Sequence, residues 1–451
     1  MIPFFKLKKK KPRRRVVLIG LDGVSYDQII DLSNNGHIPN IAKLMEDGSL
    51  SKMKTSSPPI SPVSWTSCIT GVNPASHGIF GYMDRRRESY GIYFPNALQI
   101  VSPQIWDYVT AANKSTVAVN VPQTYPAKEI NGVLISGFVS LDFKKAVFPN
   151  QLCPALEQID YRIDVDFNED PMDRNIIYEE LSYMLKKRCE TFNYLMDKVD
   201  WNLFVGVISG TGRINRYLWN DYADSGSEWN ADFIHYFKKV DDLVGDLSDK
   251  TADDTEFILI SDHATAASKG AFYLNTWFRN EGLLKMKLNG KVTFDDIYPT
   301  GTKVFALDSG RIYINLKGVM PDGCVEPGDE YNSLRERLIE DLLTLKDEST
   351  RMPIIKAISR KEDLYHGSLL ERAPDLILEG IPGYELSSDI DKDCLLGNGR
   401  YEGVPTSQDA FFCMRGFDAG KSNPGLIDIS PTILDLLNIS VDEKIEGRSV
   451  L

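Results

Sequence analysis

A chain of 451 residues with 42% hydrophobic and 10% aromatic content can bury one large α/β core with sizeable insertions. Its formal net charge of −13 is the wrong sign for a nucleic-acid protein, whose domains usually carry a basic surface. No window reads as a membrane span or an export signal, and the cysteines at 68, 153, 189, 324, 394 and 413 form no Cys-x-x-Cys pair, so reduced thiols in the cytoplasm are expected and a zinc ribbon is not.

The chain opens with a basic run, Lys6 to Arg15, and residues 1–14 read as a disordered tail, with contact to an anionic membrane surface as the alternative. Residues 15–451 are expected to form one catalytic domain. Val16 to Leu21 is an apolar, β-branched run closed by Asp22-Gly23, the pattern of a buried central strand. Ile38 to Asp47 has helical spacing, with Pro39 suited to the start and Gly48 to the stop. From Pro58 to Gly71, prolines flank Ser61 and are expected to hold it outside a helix running from Ser64 to Thr70. Ser61 would then sit rigidly near a helix N-terminus, where free N–H groups and the dipole favour a phosphate. Strand patterns recur at 116–121, 132–137, 202–209, 256–261, 303–307, 311–315, 375–378 and 410–414, with helical patterns between several of them. This alternation predicts a doubly wound, mostly parallel sheet in a three-layer α/β/α sandwich. Segments of about 140–200 and 264–302 lack a strand pattern and read as insertions that cap the crevice, where substrate choice would lie.

Ligands of open α/β sheets gather beyond the strand C-termini. Asp22 ends one such strand, and Asp262-His263 follows another at 256–261. Two carboxylates and an imidazole brought together there suit Zn²⁺, Mn²⁺ or Mg²⁺. Taken singly, Asp22 reads equally well as a helix cap and Asp262-His263 as a solvated turn. Ser61 adds weight to a site, because a bare serine needs a base or a metal to become a nucleophile, and no Gly-x-Ser-x-Gly elbow surrounds it. A haloacid dehalogenase-type phosphatase would need an Asp where Gly20 stands. A sulfatase would need a modified Cys or Ser followed by x-Pro-x-Arg, and a dinucleotide site would need a glycine beyond Gly20 and Gly23.

An ordered series of motifs carries a family resemblance: Gly20-Leu21-Asp22-Gly23, Ile38-Pro39-Asn40-Ile41-Ala42-Lys43-Leu44, Pro58-Pro59-Ile60-Ser61-Pro62, Trp65-Thr66-Ser67, Thr70-Gly71, Asn73-Pro74, His77-Gly78-Ile79, Asn120 to Pro126, Ser261-Asp262-His263 and Asp428 to Leu434. From about Arg15 to Leu451 the chain resembles the type I phosphodiesterase/nucleotide pyrophosphatase branch of the alkaline phosphatase superfamily. The resemblance implies an alkaline phosphatase-like fold and a metal-dependent phosphoester hydrolase or phosphotransferase, acting on a small phosphate ester through a phosphoseryl intermediate. It implies Ser61 as nucleophile and metal ligand, with Asp22, Asp262 and His263 as the other ligands. It also puts Ser64 where nucleotide pyrophosphatases bind a phosphate oxygen through an Asn.

The departures from that pattern shape the expectation further. The family's second metal takes an Asp and a His four residues apart and a later His. Here those places hold Gly212, Arg216 and, for the last, Thr406 nearby. One divalent ion (Zn, Mn or Mg) is therefore expected, as in the similar single-metal lipoteichoic acid synthases and phosphoethanolamine transferases. Arg213 and Arg216 are candidates to supply the missing charge, since a guanidinium is permanently cationic and forks phosphate oxygens. Two alternatives stand beside this reading: both arginines as surface charges on a helix, and a catalytically inactive homologue that binds phosphate esters or serves as a scaffold.

Overall fold

The computed structural model describes residues 14–86, 89–165, 173–251, 255–287, 294–297, 299–407, 409–417 and 423–451. Of the expected basic tail only Arg14 falls among them. Eight strands form the central sheet: β1 (Arg15–Leu21), β2 (Gly48–Met53), β3 (Thr116–Val121), β4 (Gly132–Ser136), β5 (Val147–Phe148), β6 (Leu203–Ile208), β7 (Thr255–Ile260) and β8 (Ala410–Arg415). Their order is β2-β8-β7-β1-β6-β3-β4-β5. Strands from β7 through β4 run parallel, while β8 and β5 join antiparallel.

Alternation along β1 shows why the sheet is covered on both faces. Val17, Ile19 and Leu21 enter one hydrophobic core, and Val16 and Leu18 enter the other. Three helices bear on the site: α1 (Ser61–Thr70), α2 (Arg174–Lys198) and α3 (Gly210–Ala223). Trp65 of α1 packs in the second core, and α2 and α3 pack in the first. The result is the expected α/β/α sandwich.

Two boundaries differ from expectation. Helix α2 falls within the segment read as cap, yet its Ile177, Leu181, Met184, Leu185, Phe192 and Leu195 recur at helical spacing and join the sandwich core. Gly206 of β6 admits it, since a Cβ there would lie 2.6 Å from the Phe192 ring. Conversely, strands Val304–Leu307, Arg311–Ile314, Ile355–Arg360 and Leu376–Gly380 build a separate four-stranded antiparallel sheet with its own core around Phe305, Ile312, Leu338 and Leu376. The strand patterns at 303–307, 311–315 and 375–378 belong to this body, which extends the cap well past residue 302. Periodicity reveals a strand but not the sheet it joins. Among the described residues, no helix is long and apolar enough to cross a membrane.

Candidate functional site

Neighbouring β1 and β7 run parallel with Gly20 opposite Ile260, so Asp22 and the Ser261-Asp262-His263 turn emerge side by side. Gly20 has a local purpose. A Cβ at that position would lie 2.1 Å from Trp65 Cη2, and the space lets Trp65 lie against the strand and donate its Nε1–H to Asp22 Oδ2 at 3.2 Å. Helix α1 begins at Ser61 itself, three residues earlier than expected, with Pro62 in its first turn and Gly71 closing it at φ 69°. Proline is tolerated there because a first-turn N–H has no helical acceptor to lose.

Ser61 Oγ lies 3.4 Å from Asp22 Oδ1 and 3.3 Å from His263 Nε2. His263 Nε2 is in turn 3.9 Å from Asp22 Oδ1 and 3.6 Å from Asp262 Oδ2. The other ring nitrogen, Nδ1, faces the Ala264 carbonyl at 3.0 Å, which assigns it a proton and leaves Nε2, the nitrogen toward the carboxylates, as the one that takes a proton or a cation. Asp262 Oδ1 accepts the Gly23 N–H at 3.2 Å, but its Oδ2 is buried with no hydrogen-bond partner. A buried acceptor left bare is costly. Ligand atoms of Asp22, Asp262 and His263 all lie within 4.8 Å of one another, an arrangement that a divalent cation would complete. The electrostatics agree. Burial, reinforced by Asp22, raises the Asp262 carboxyl to about 7. Burial pulls the His263 imidazole down, but Asp262 and Asp22 outweigh it and the net shift is upward.

Helix α3 brings the remaining expected residues. Gly212 lies against Asp22, where a Cβ would come within 2.2 Å of Oδ1. Arg213 is already engaged: it pairs with Asp164 and stacks 4.8 Å from the centre of the Phe138 ring. Asp164 is held in place by buried Arg188, which donates to the carbonyls of Arg162 and Ile163. Arg216 differs. No carboxylate among the described residues pairs with it, it lies 3.7 Å over the Tyr401 ring, and its buried Nε has no acceptor. Ser64 does not reach the site. It is fully buried, with its hydroxyl 2.8 Å from Ser56 Oγ and 3.3 Å from Thr55 Oγ1, and it does not line the cavity that holds Asp22, Ser61 and His263. Three residues along α1 from Ser61, about 60° short of a full turn, its side chain faces the 55–56 loop. Thr406 pairs with Ala264 beside the site and lines the cap side.

Tyr82 escapes the sequence reading. The nearest motif of the resemblance ends at Ile79, and the next begins at Asn120, so no motif singles Tyr82 out. It nevertheless lines the same small cavity as Ser61, Asp22, Arg213 and Arg216, and burial raises its pKa. Two adjoining cavities meet at this residue. One of about 50 Å³ holds Asp22, Ser61 and His263; the other, of about 260 Å³, lies under the cap beside Tyr384 and Glu385. Tyr82 and Arg216 line both.

A match to the type I phosphodiesterase / nucleotide pyrophosphatase family covers residues 16–416. The chain belongs to this family. Membership places it among phosphoester-cleaving enzymes, and the alkaline phosphatase superfamily to which the family belongs uses divalent metals. Solved structures share the fold. Phosphonoacetate hydrolase from Sinorhizobium meliloti 1021, in complex with phosphonoformate, superposes with a TM-score of 0.64 at 12% identity, over 95% of this chain and 96% of that one. An inactive form of murine ectonucleotide pyrophosphatase/phosphodiesterase 5, in complex with AMP, gives 0.56 at 12% identity over 95% and 96%. A mutant of the alkaline phosphatase PafA gives 0.59 at 14% identity over 98% and 99%. At such identities the likeness is one of fold. No curated protein matches the chain by sequence.

Proposed function

We propose that this family member cleaves a small phosphate ester at a single divalent-metal centre formed by Asp22, Asp262 and His263, with Ser61 as nucleophile and fourth ligand. The observation that carries the reading is the bare Asp262 Oδ2, buried beside His263 Nε2 and Asp22 Oδ1 and within reach of the Ser61 hydroxyl. A divalent ion held by these residues would lower the pKa of the serine hydroxyl and draw charge from the phosphoryl group. Ser61 Oγ attacks phosphorus, the ester P–O bond breaks, and the alcohol departs with a proton. Water, or an acceptor alcohol, then breaks the phosphoseryl bond and regenerates the hydroxyl. Arg216, which forms no ion pair with a carboxylate among the described residues, supplies positive charge to the phosphoryl oxygens. Arg213 contributes through its pairing with Asp164, which shapes the wall of the small cavity. The larger cavity under the cap takes the alcohol portion.

Gly212 supports one ion over two. Its place offers no ligand, and any side chain there would collide with Asp22. The same loss of second-metal ligands favours the rival reading, a silent homologue that only binds phosphate esters. Nitrophenyl phosphate monoesters and diesters, assayed with Zn²⁺, Mn²⁺ and Mg²⁺, separate the two. Turnover by the wild type that disappears in Ser61→Ala is expected; unchanged turnover in that variant rejects the nucleophile, and no turnover by the wild type with any ion favours the silent homologue.

A further inference from the structure

We propose that Tyr401 is the positioning residue for Arg216, holding its guanidinium at the phosphoryl cavity by stacking and not by an ion pair. This inference rests on the charge that Arg216 brings to the proposed reaction at Ser61. Its first support is the contact itself. The guanidinium carbon of Arg216 lies 3.7 Å from the centre of the Tyr401 ring, and Tyr217 braces that ring edge-on, with centres 5.2 Å apart and planes at 87°. An aromatic face attracts a cation without neutralising it, and the in-plane N–H groups stay available. Arg213 makes the contrast, since it also lies over a ring, that of Phe138, but is joined to Asp164.

The second support is the way the ring is anchored. In an unbroken helix the Arg216 carbonyl would accept the Asn220 N–H. Helix α3 is kinked between the two, at Leu218 (φ −132°, ψ 29°), and Glu402 enters the gap. Its backbone N–H donates to the Arg216 carbonyl at 3.0 Å, and its Oε2 accepts the Asn220 N–H at 2.9 Å. Arg174 locks the carboxylate, donating to Glu402 Oε1 at 2.7 Å and to Asp221 Oδ2 at 2.8 Å. Tyr401 is thus tied, through its neighbour, to the turn of α3 that carries the guanidinium.

The third support is the link to the site. Strand Gly403–Thr406 follows this loop and pairs antiparallel with Ala264–Ala267, which leaves directly from His263. One ladder therefore spaces the Tyr401 loop from the proposed metal ligands. Arg216 itself lines the small cavity with Asp22, Ser61 and His263.

The test uses the full chain with a divalent ion and a double-mutant cycle of Arg216→Ala and Tyr401→Leu. Nitrophenyl phosphate esters report turnover, and calorimetry with inorganic phosphate reports binding. Tyr401→Leu is expected to lower kcat and phosphate affinity by about tenfold, with melting temperature and bound metal close to wild type. Tyr401→Phe, which keeps the ring face, should restore most of both. In the Arg216→Ala background Tyr401→Leu should change neither, because the interaction it removes is already gone. An equally large loss without Arg216, or no loss with it present, overturns the positioning role; if Ser61→Ala still loses turnover, the Ser61 reaction stands. If the wild type turns over no substrate but its phosphate affinity follows the cycle, the reaction fails and the positioning role stands. If it neither turns over substrate nor binds phosphate, both fall.

Discussion

Asp262 carries the sharpest constraint at the scale of single residues. In the folded, metal-free chain its carboxyl is raised to about 7 by burial and by Asp22, against an ordinary value near 4 in the unfolded chain. A carboxyl raised in this way favours the folded state while it is protonated, and that contribution is lost as pH climbs from about 4 through 7. A divalent cation bound at the proposed centre would take the place of the lost proton, and its binding should release protons from Asp262 and from His263. Chelated protein should therefore melt lower at pH 7.5 than at pH 5.5, and an added divalent ion should raise the melting temperature far more at the higher pH. Equal metal-induced shifts at both values, followed by scanning fluorimetry, would contradict the assignment. The convergence of Asp22, Ser61, Asp262 and His263 was legible in the sequence because each follows a strand end or a proline-bounded turn, places where backbone geometry alone points a side chain at the crevice. Ser64 and Tyr82 were not. The direction of Ser64 depends on helix phase, and that of Tyr82 on a clamp from Arg311, more than 200 residues away in sequence.

Close approach of elements, obtained by omitting Cβ atoms, recurs around the site. Helix α3 nears the end of β1 because Gly212 has no side chain, and Gly210 at its start makes room for the Tyr236 hydroxyl, 2.0 Å from where a Cβ would sit. Gly212→Ala should push Asp22 out of line with His263. The expected cost is about 1–3 kcal/mol of stability from overpacking, together with a fall in turnover on the order of 10²-fold from a misplaced ligand. Denaturant unfolding and steady-state rates check both, and wild-type rates in this variant would mean that the packing of α3 against Asp22 does not govern the site. The elements read well where they are long and buried, as β1, β3, β6 and β7 are. They read poorly where pattern is weak. β2 begins at the same Gly48 that stops the preceding helix, and most of its residues are half-buried, so it shows no apolar run. Helix α1 begins three residues early because a first-turn proline costs it nothing.

The whole molecule places its chemistry between two bodies with separate cores. The sandwich supplies Asp22, Ser61, Asp262 and His263 from adjacent elements, and the cap supplies the clamp on the Tyr82 turn and the walls of the larger cavity. Fold class was readable because alternating strand and helix patterns admit few architectures. The extent of the cap was not, because its antiparallel strands carry the same period as those of the central sheet. The central claim is a one-ion centre beside a nucleophilic serine, and metal stoichiometry measured together with activity tests it most directly. Protein stripped by chelator and titrated with Zn²⁺, Mn²⁺ or Mg²⁺ should reach full turnover at one bound ion per chain by elemental analysis. A requirement for a second equivalent, or full turnover in the stripped protein, would contradict it.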